Sequence, residues 1–217
     1  MGSKKWSLLG VYNALGARCF FNWMPDSLYL KIQYRLALKK KLNLNNPQTF
    51  NEKIQWLKLH DRRPEYTKMV DKYAVRDYIA ETIGEEYIIP LVGGPWDKFD
   101  DIDFNQLPNQ FVLKCNHDSG GLVICTDKSR LDKRQARKKI EKSLHRNFYW
   151  ANREWPYKDV KPCIIAEQYM VDESGYELKD YKFFCFDGVP KAMFIATDRN
   201  KNTKFDFFDM DFNHFPF

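Results

Sequence analysis

The sequence predicts an α+β protein in which a helical N-terminal region is followed by a mostly antiparallel sheet part. Three observations predict it. Apolar residues recur at helical spacing between residues 26 and 84. From Glu86 onward they fall instead into short runs closed by Gly, Pro or Asp. Two pairs of those runs face each other across turns, which makes them antiparallel.

The elements follow in order. Trp6 to Met24 is apolar but interrupted by Asn13, Arg18 and Asn22. That is too polar for a membrane span and lacks a cleavage site, so an amphipathic helix is expected, packed on the protein or touching a membrane surface. Asp26 can cap a helix running from Ser27 through Lys39-Lys40-Lys41. Thr49-Phe-Asn-Glu52 has capping-box spacing, in which a hydroxyl and a carboxylate each satisfy a free amide. Ile54 and Leu57, with Trp56 and Leu59, give the next helix its apolar stripe. Pro64 suits the first turn of another, whose Tyr66, Met69, Val70, Tyr73, Val75, Tyr78 and Ile79 recur until Gly84 ends it.

Tyr87-Ile-Ile-Pro-Leu-Val92 predicts a strand closed by Gly93-Gly94-Pro95. Phe111-Val-Leu-Lys-Cys115 and Leu122-Val-Ile-Cys125 predict a hairpin with a long loop. Ser129 starts a charged helix reaching about Phe148, and Tyr149 to Pro162 is a polar, aromatic-rich connection. Ile164 to Met170 is the next strand. Asp180 to Phe186, the Asp187-Gly188 turn and Val189 to Ala196 form strand-turn-strand, and Phe205 to Asp209 is the last strand.

With 44% hydrophobic residues, 217 residues suffice for one globular unit or two small lobes sharing a core. Charged residues are spread without a single-sign block, which argues against disorder beyond the extreme N-terminus. A net charge of +6 fits an anionic ligand, a membrane surface or ordinary solubility. No basic cluster interleaves with stacking aromatics, so nucleic acid is not expected as a partner. The five cysteines are an odd number without a Cys-x-x-Cys pair or histidines at zinc spacing. Cys115, Cys125 and Cys185 sit in apolar runs as small core residues, and a reducing, cytoplasmic compartment follows.

The chemistry gathers around Lys114. A lysine inside an apolar strand must reach solvent or an anion, because an unpaired buried ammonium is costly. Within seven residues the chain supplies Asn116, His117, Ser119, Gly120 and Gly121. Adjacent glycines expose backbone N–H groups to phosphate oxygens, and serine adds a hydroxyl. A polyphosphate cradle and a plain hairpin turn with a surface lysine both fit this segment. His60, His145 and His214 look like surface residues.

The order narrows the choice. Val70-Asp-Lys-Tyr-Ala-Val-Arg76, Ile89-Pro-Leu, Phe111-Val-Leu-Lys114 with its loop, Ile165-Ala-Glu-Gln-Tyr-Met170 and Asp180-Tyr-Lys-Phe resemble, in that sequence and spacing, the ATP-grasp superfamily. More narrowly they resemble its TupA-like branch of teichuronopeptide biosynthesis, found with bacterial capsule or exopolysaccharide genes. The resemblance runs from about Asn46 to the end. It implies a helical region over 1–62, a small lobe with its lead-in helix over 63–166, and the start of a large lobe over 167–217. It further implies ATP and Mg²⁺ as cofactors and a carboxylate–amine ligase working through an acylphosphate. The partners would be a carboxylated sugar or polysaccharide acceptor and an amine donor.

By the same resemblance, Lys72 reaches the nucleotide phosphates from the small lobe and Lys114 holds the α- and β-phosphates. His117, Asp118, Ser119, Gly120 and Gly121 form the loop over the β- and γ-phosphates, with His117 also a catalytic candidate. Glu167 and the backbone of Gln168 and Met170 contact adenine, and Asp172 or Glu173 lies near the ribose. Lys182 is the basic residue after the hinge that faces the phosphates, a catalytic candidate with Lys114. An exposed helix lysine at Lys72, a solvent-facing Glu167 and a turn-bonding His117 are the plainer alternatives.

Carboxylate ligands for Mg²⁺ belong to late strands in this family, after the segment matched. The resemblance therefore implies an incomplete second lobe, metal ligands downstream of the chain and none within it, and leaves the activity of such a fragment open. Two other classes remain. Asp209-Met-Asp211 has the Asp-x-Asp form by which nucleotide-sugar glycosyltransferases hold a metal, but Asp101-Ile-Asp103 repeats it in a loop, and no early βαβ half accompanies it. A non-catalytic binding protein would use the aromatics of residues 1–62 and the Lys39–Lys41 run on a partner or membrane surface.

Overall fold

Helices and antiparallel sheets make up the computed structural model, which describes residues 7–175, 178–198 and 202–215; Trp6 of the expected first helix lies outside them. The chain divides into two compact units, Met1–Gln168 and Tyr169–Phe217. In the first unit, Ser7 caps α1 (Leu8–Gly16) by accepting from the Gly10 amide at 3.0 Å. α2 (Asp26–Leu38) packs against it around Tyr12, Met24, Tyr29, Leu30, Tyr34 and Leu42. Asp26 is the first helical residue and Pro25 the cap, so the carboxylate is free for tertiary partners rather than spent on the helix end. The helix also stops short of the lysine run. Lys39 turns left-handed at φ 57°, with its ammonium on the Leu36 carbonyl at 2.9 Å.

The capping box of Thr49 and Glu52 forms as the spacing predicts and starts α3 (Phe50–His60). The continuous helix expected after Pro64 is broken into α4 (Glu65–Val70) and α5 (Val75–Ile83). Asp71 causes the break: its carboxylate accepts from the amides of Tyr73 at 2.8 Å and Ala74 at 3.1 Å, offering them a partner outside the helix. The Lys72 amide is thereby turned to the Asn116 carbonyl at 3.1 Å.

The first sheet has the order β1-β4-β2-β3, with β1 Leu91–Trp96, β2 Phe111–Cys115, β3 Leu122–Cys125 and β4 Ile164–Gln168, every pair antiparallel. β1 lies further along than expected and runs through Gly93-Gly94-Pro95 instead of ending there. A Cβ on Gly94, at φ 96°, would stand 2.8 Å from the Ile164 carbonyl, so glycine permits the close approach that carries the strand on. Side chains of Phe111, Leu113, Cys115, Ile164 and Ala166 face a core completed by Phe99, Phe104, Leu107, Ala136 and Ile140. The last two belong to α6 (Lys133–Leu144), which starts later than expected because Asp132 caps it through the Gln135 amide at 3.0 Å. α7 (Tyr149–Asn152) occupies part of the expected connection.

Buried Arg153 ends α7, donates to the Phe21 carbonyl at 2.7 Å and lies 3.4 Å from Asp26, which also pairs with Arg62 at 2.7 Å. That node ties α2 to α7. The second unit is an antiparallel sheet of β5 (Asp180–Phe186), β6 (Val189–Thr197) and β7 (Lys204–Asp209) in that order. Asp187 and Gly188 both have positive φ, 51° and 75°, the backbone that a two-residue hairpin turn requires.

Candidate functional site

The β2–β3 loop is built from beneath. Asn116 is buried, and its side chain donates to the Lys161 carbonyl at 3.0 Å and accepts from the Cys163 amide at 2.8 Å. Its own carbonyl receives both the amide and the ammonium of Lys72, at 3.1 and 3.3 Å. The same ammonium bonds the Asp118 carbonyl. Burial lowers the Lys72 pKa below the ordinary lysine value, against the opposing pull of Asp118. Lys72 thus holds the loop backbone by its carbonyls.

Asp118 holds the other end. One carboxylate oxygen accepts from the Gly121 amide at 3.0 Å and the other from the Ser143 hydroxyl on α6. A Cβ on Gly121 would stand 2.6 Å from the Ser143 Cβ and 2.7 Å from the Cys115 sulfur, so the second glycine is there for packing. His117 is buried, and its Nε2 faces the carbonyls of Ser143 at 3.1 Å and Arg146 at 2.9 Å. The ring is turned to the end of α6, not to the open side of the loop. Ser119 and Gly120 alone remain exposed in this stretch; among the described residues their amides meet no protein acceptor. A cavity of about 160 Å³ adjoins them, lined also by Asp118, Arg146 and Phe148. It admits a phosphate-sized group but is smaller than sites that enclose a whole ligand.

Pairing register fixes what accompanies the loop. Val112 lies opposite Glu167 and Lys114 opposite Ile165, which puts Lys114 and Glu167 on the same sheet face, away from the core. Their side chains form an ion pair, 25% and 8% exposed. The lysine therefore meets an anion, as its place in an apolar strand requires, and the anion is Glu167. Gln168 is exposed at the end of β4, its amide on the Pro90 carbonyl at 2.9 Å.

In the second unit Met170 is exposed. Asp172 accepts from the Ser174 amide at 2.8 Å, and the Ser174 contacts hold its pKa below the ordinary carboxylate value. Glu173 pairs with Lys179, which lowers the glutamate and raises the lysine. Lys182 is exposed and bonded to Asp180 at 2.8 Å. Asp209 is spent on a turn, accepting from the amides of Asp211 and Asn213, each at 2.9 Å, and from the Asn213 side chain. That engagement leaves the Asp-x-Asp pair no observation in its favour.

Lys72, Lys114, His117 to Gly121 and Glu167 are thus assembled within the first unit, whereas Asp172, Glu173 and Lys182 belong to the second. Ser143 and Arg146 were missed as parts of the loop's support. One signal could have found Ser143: a polar residue on the apolar stripe Ala136, Ile140, Ser143 needs a partner. Among the described residues no group of three or more His, Cys, Asp or Glu could hold a metal ion. No described helix is long and apolar enough to cross a membrane. A family model described as TupA-like ATPgrasp matches residues 52–217. No curated protein and no solved structure matches the chain.

Proposed function

This chain belongs to the TupA-like ATP-grasp family, and from that premise we propose that it serves as a carboxylate–amine ligase of surface-polysaccharide biosynthesis. The family generally uses ATP and Mg²⁺ in ligase-type reactions. One observation carries the reading to this chain: the largely buried Lys114–Glu167 pair is followed in sequence by the exposed Ser119–Gly120 amides. In the proposed reaction ATP supplies the phosphoryl group that activates a substrate carboxylate, and an amine then displaces phosphate to leave an amide.

The work of this chain is positioning and charge neutralisation. Lys114 exchanges the Glu167 carboxylate for phosphate oxygens. Glu167, so released, accepts from the adenine amino group, with the backbone of Gln168 and Met170 alongside. Ser119 and Gly120 donate to the terminal phosphates, while Lys72, Asp118, Gly121 and buried His117 keep the loop in shape. We place the reaction in the cytoplasm at the membrane's inner face, with a carboxylated sugar or polysaccharide as acceptor.

Titration calorimetry of ATP·Mg²⁺ and UDP-glucose·Mg²⁺ tests this. The wild-type chain should select ATP, and Lys114→Ala should weaken that binding about tenfold or more, the loss of a charge-assisted contact. Preference for UDP-glucose would overturn the reading.

A further inference from the structure

We propose that the open edge of β3 and the free lysines of α6 take up an extended acidic segment of a partner polypeptide as an added strand of the first sheet. β3 is the terminal strand in the order β1-β4-β2-β3. The Cys115 amide donates to the Gly121 carbonyl, so the bonded pairs alternate through Leu113 with Val123 and Phe111 with Cys125. Ile124 therefore turns its N–H and C=O outward, away from β2. Leu122-Val-Ile-Cys125 carries no charge and no proline, the usual means of blunting an edge. Ile124 is 53% exposed.

An open groove runs between the backbone of this edge and α6, with Val123, Leu131 and Ala136 on its apolar side and Lys138, Lys139 and Lys142 along the helix. Two other cations of the helix are engaged, Arg137 with Asp100 and Glu141, and Lys133 over the Phe104 ring. Among the described residues Lys138, Lys139 and Lys142 have no carboxylate partner. The carboxylates beside the groove cap helix ends, Asp127 on the Ser129 amide at 2.9 Å and Asp132 on the Gln135 amide, and stay charged, but Arg130, Lys138, Lys139 and Lys142 outnumber them. The ligand chemistry follows from these parts. Outward backbone groups select a polypeptide strand, the apolar floor selects alternate apolar side chains, and the lysines select acidic ones. A second copy of this chain is disfavoured, because β3-to-β3 pairing brings lysines toward lysines.

The test is fluorescence anisotropy of a labelled ten-residue peptide of alternating Glu and Val, with a Lys-Val peptide, heparin and phosphatidylglycerol vesicles as comparisons. The Glu-Val peptide should bind and protect the Ile124 amide from hydrogen exchange. The double variant Lys138→Glu/Lys142→Glu and, separately, Ile124→Pro should each weaken it about tenfold. Proline at an outward edge position removes the donor without breaking the ladder, and circular dichroism checks that each variant folds. If Ile124→Pro does not fold, the surface lysine variant and the amide protection decide alone. Absence of peptide binding, binding undiminished in folded Ile124→Pro, or tighter binding of heparin or vesicles would each overturn the proposal. So would self-association through β3.

Discussion

Ser143 governs the loop from outside it. Its hydroxyl satisfies one oxygen of Asp118, whose other oxygen fixes the Gly121 amide. Ser143→Ala should leave a buried carboxylate oxygen without its donor and cost about 1–3 kcal/mol, measurable by urea unfolding; an unchanged midpoint would contradict that wiring. The same packing governs the thiols. Burial pushes Cys115 up to about 11 and Cys163 up to about 12, while Cys19 is exposed and so, contrary to the core place its apolar run predicts, is Cys185. Iodoacetamide near pH 8 should label Cys19 and Cys185 first, read by mass spectrometry. Rapid labelling of Cys115 in the folded chain would contradict its burial. Lys114 was legible in sequence because an ammonium in an apolar strand demands a partner. The identity of that partner was not, since Glu167 comes onto the same sheet face, diagonal to Lys114, only through strand pairing fifty-odd residues away. His117 shows the converse: a histidine in a glycine loop suggested chemistry, and its ring is turned to the carbonyls of α6.

At the scale of elements, local rules held where both partners are local. The capping box before α3 needs only Thr49 and Glu52, and it forms as spaced. Amide donation from Thr49 and Gln48 lowers the Glu52 pKa below the ordinary glutamate range. A depressed carboxylate stabilises the fold above its unfolded pKa, and that contribution is lost as pH falls through the folded value. Glu52→Gln should therefore flatten the pH dependence of stability between about pH 5 and pH 3 while leaving its form near neutrality unchanged. Identical acid profiles for the two chains would show that the box contributes nothing. Periodicity misled where one side chain competes with the backbone. Tyr66 to Ile79 keeps helical spacing across Asp71, but spacing cannot register a carboxylate that captures two amides. The interruption is what delivers Lys72 to the Asn116 carbonyl.

Over the whole molecule, the succession of helices and then antiparallel strands was legible because period and turn chemistry are short-range signals. Strand order was not: β4 inserts between β1 and β2, a pairing decided by the burial of Ile164 and Ala166 rather than by neighbours in sequence. Family membership supplies ATP; the fold supplies a sheet face bearing Lys114 and Glu167, and a loop anchored everywhere except at Ser119 and Gly120. The central claim is that those two residues receive the phosphates. Backbone amide resonances followed by NMR during titration with ATP·Mg²⁺ test it most directly. The Ser119 and Gly120 amides should shift furthest within the loop while the Gly121 amide, already held by Asp118, moves least. Saturable ATP binding that leaves Ser119 and Gly120 unshifted would contradict it.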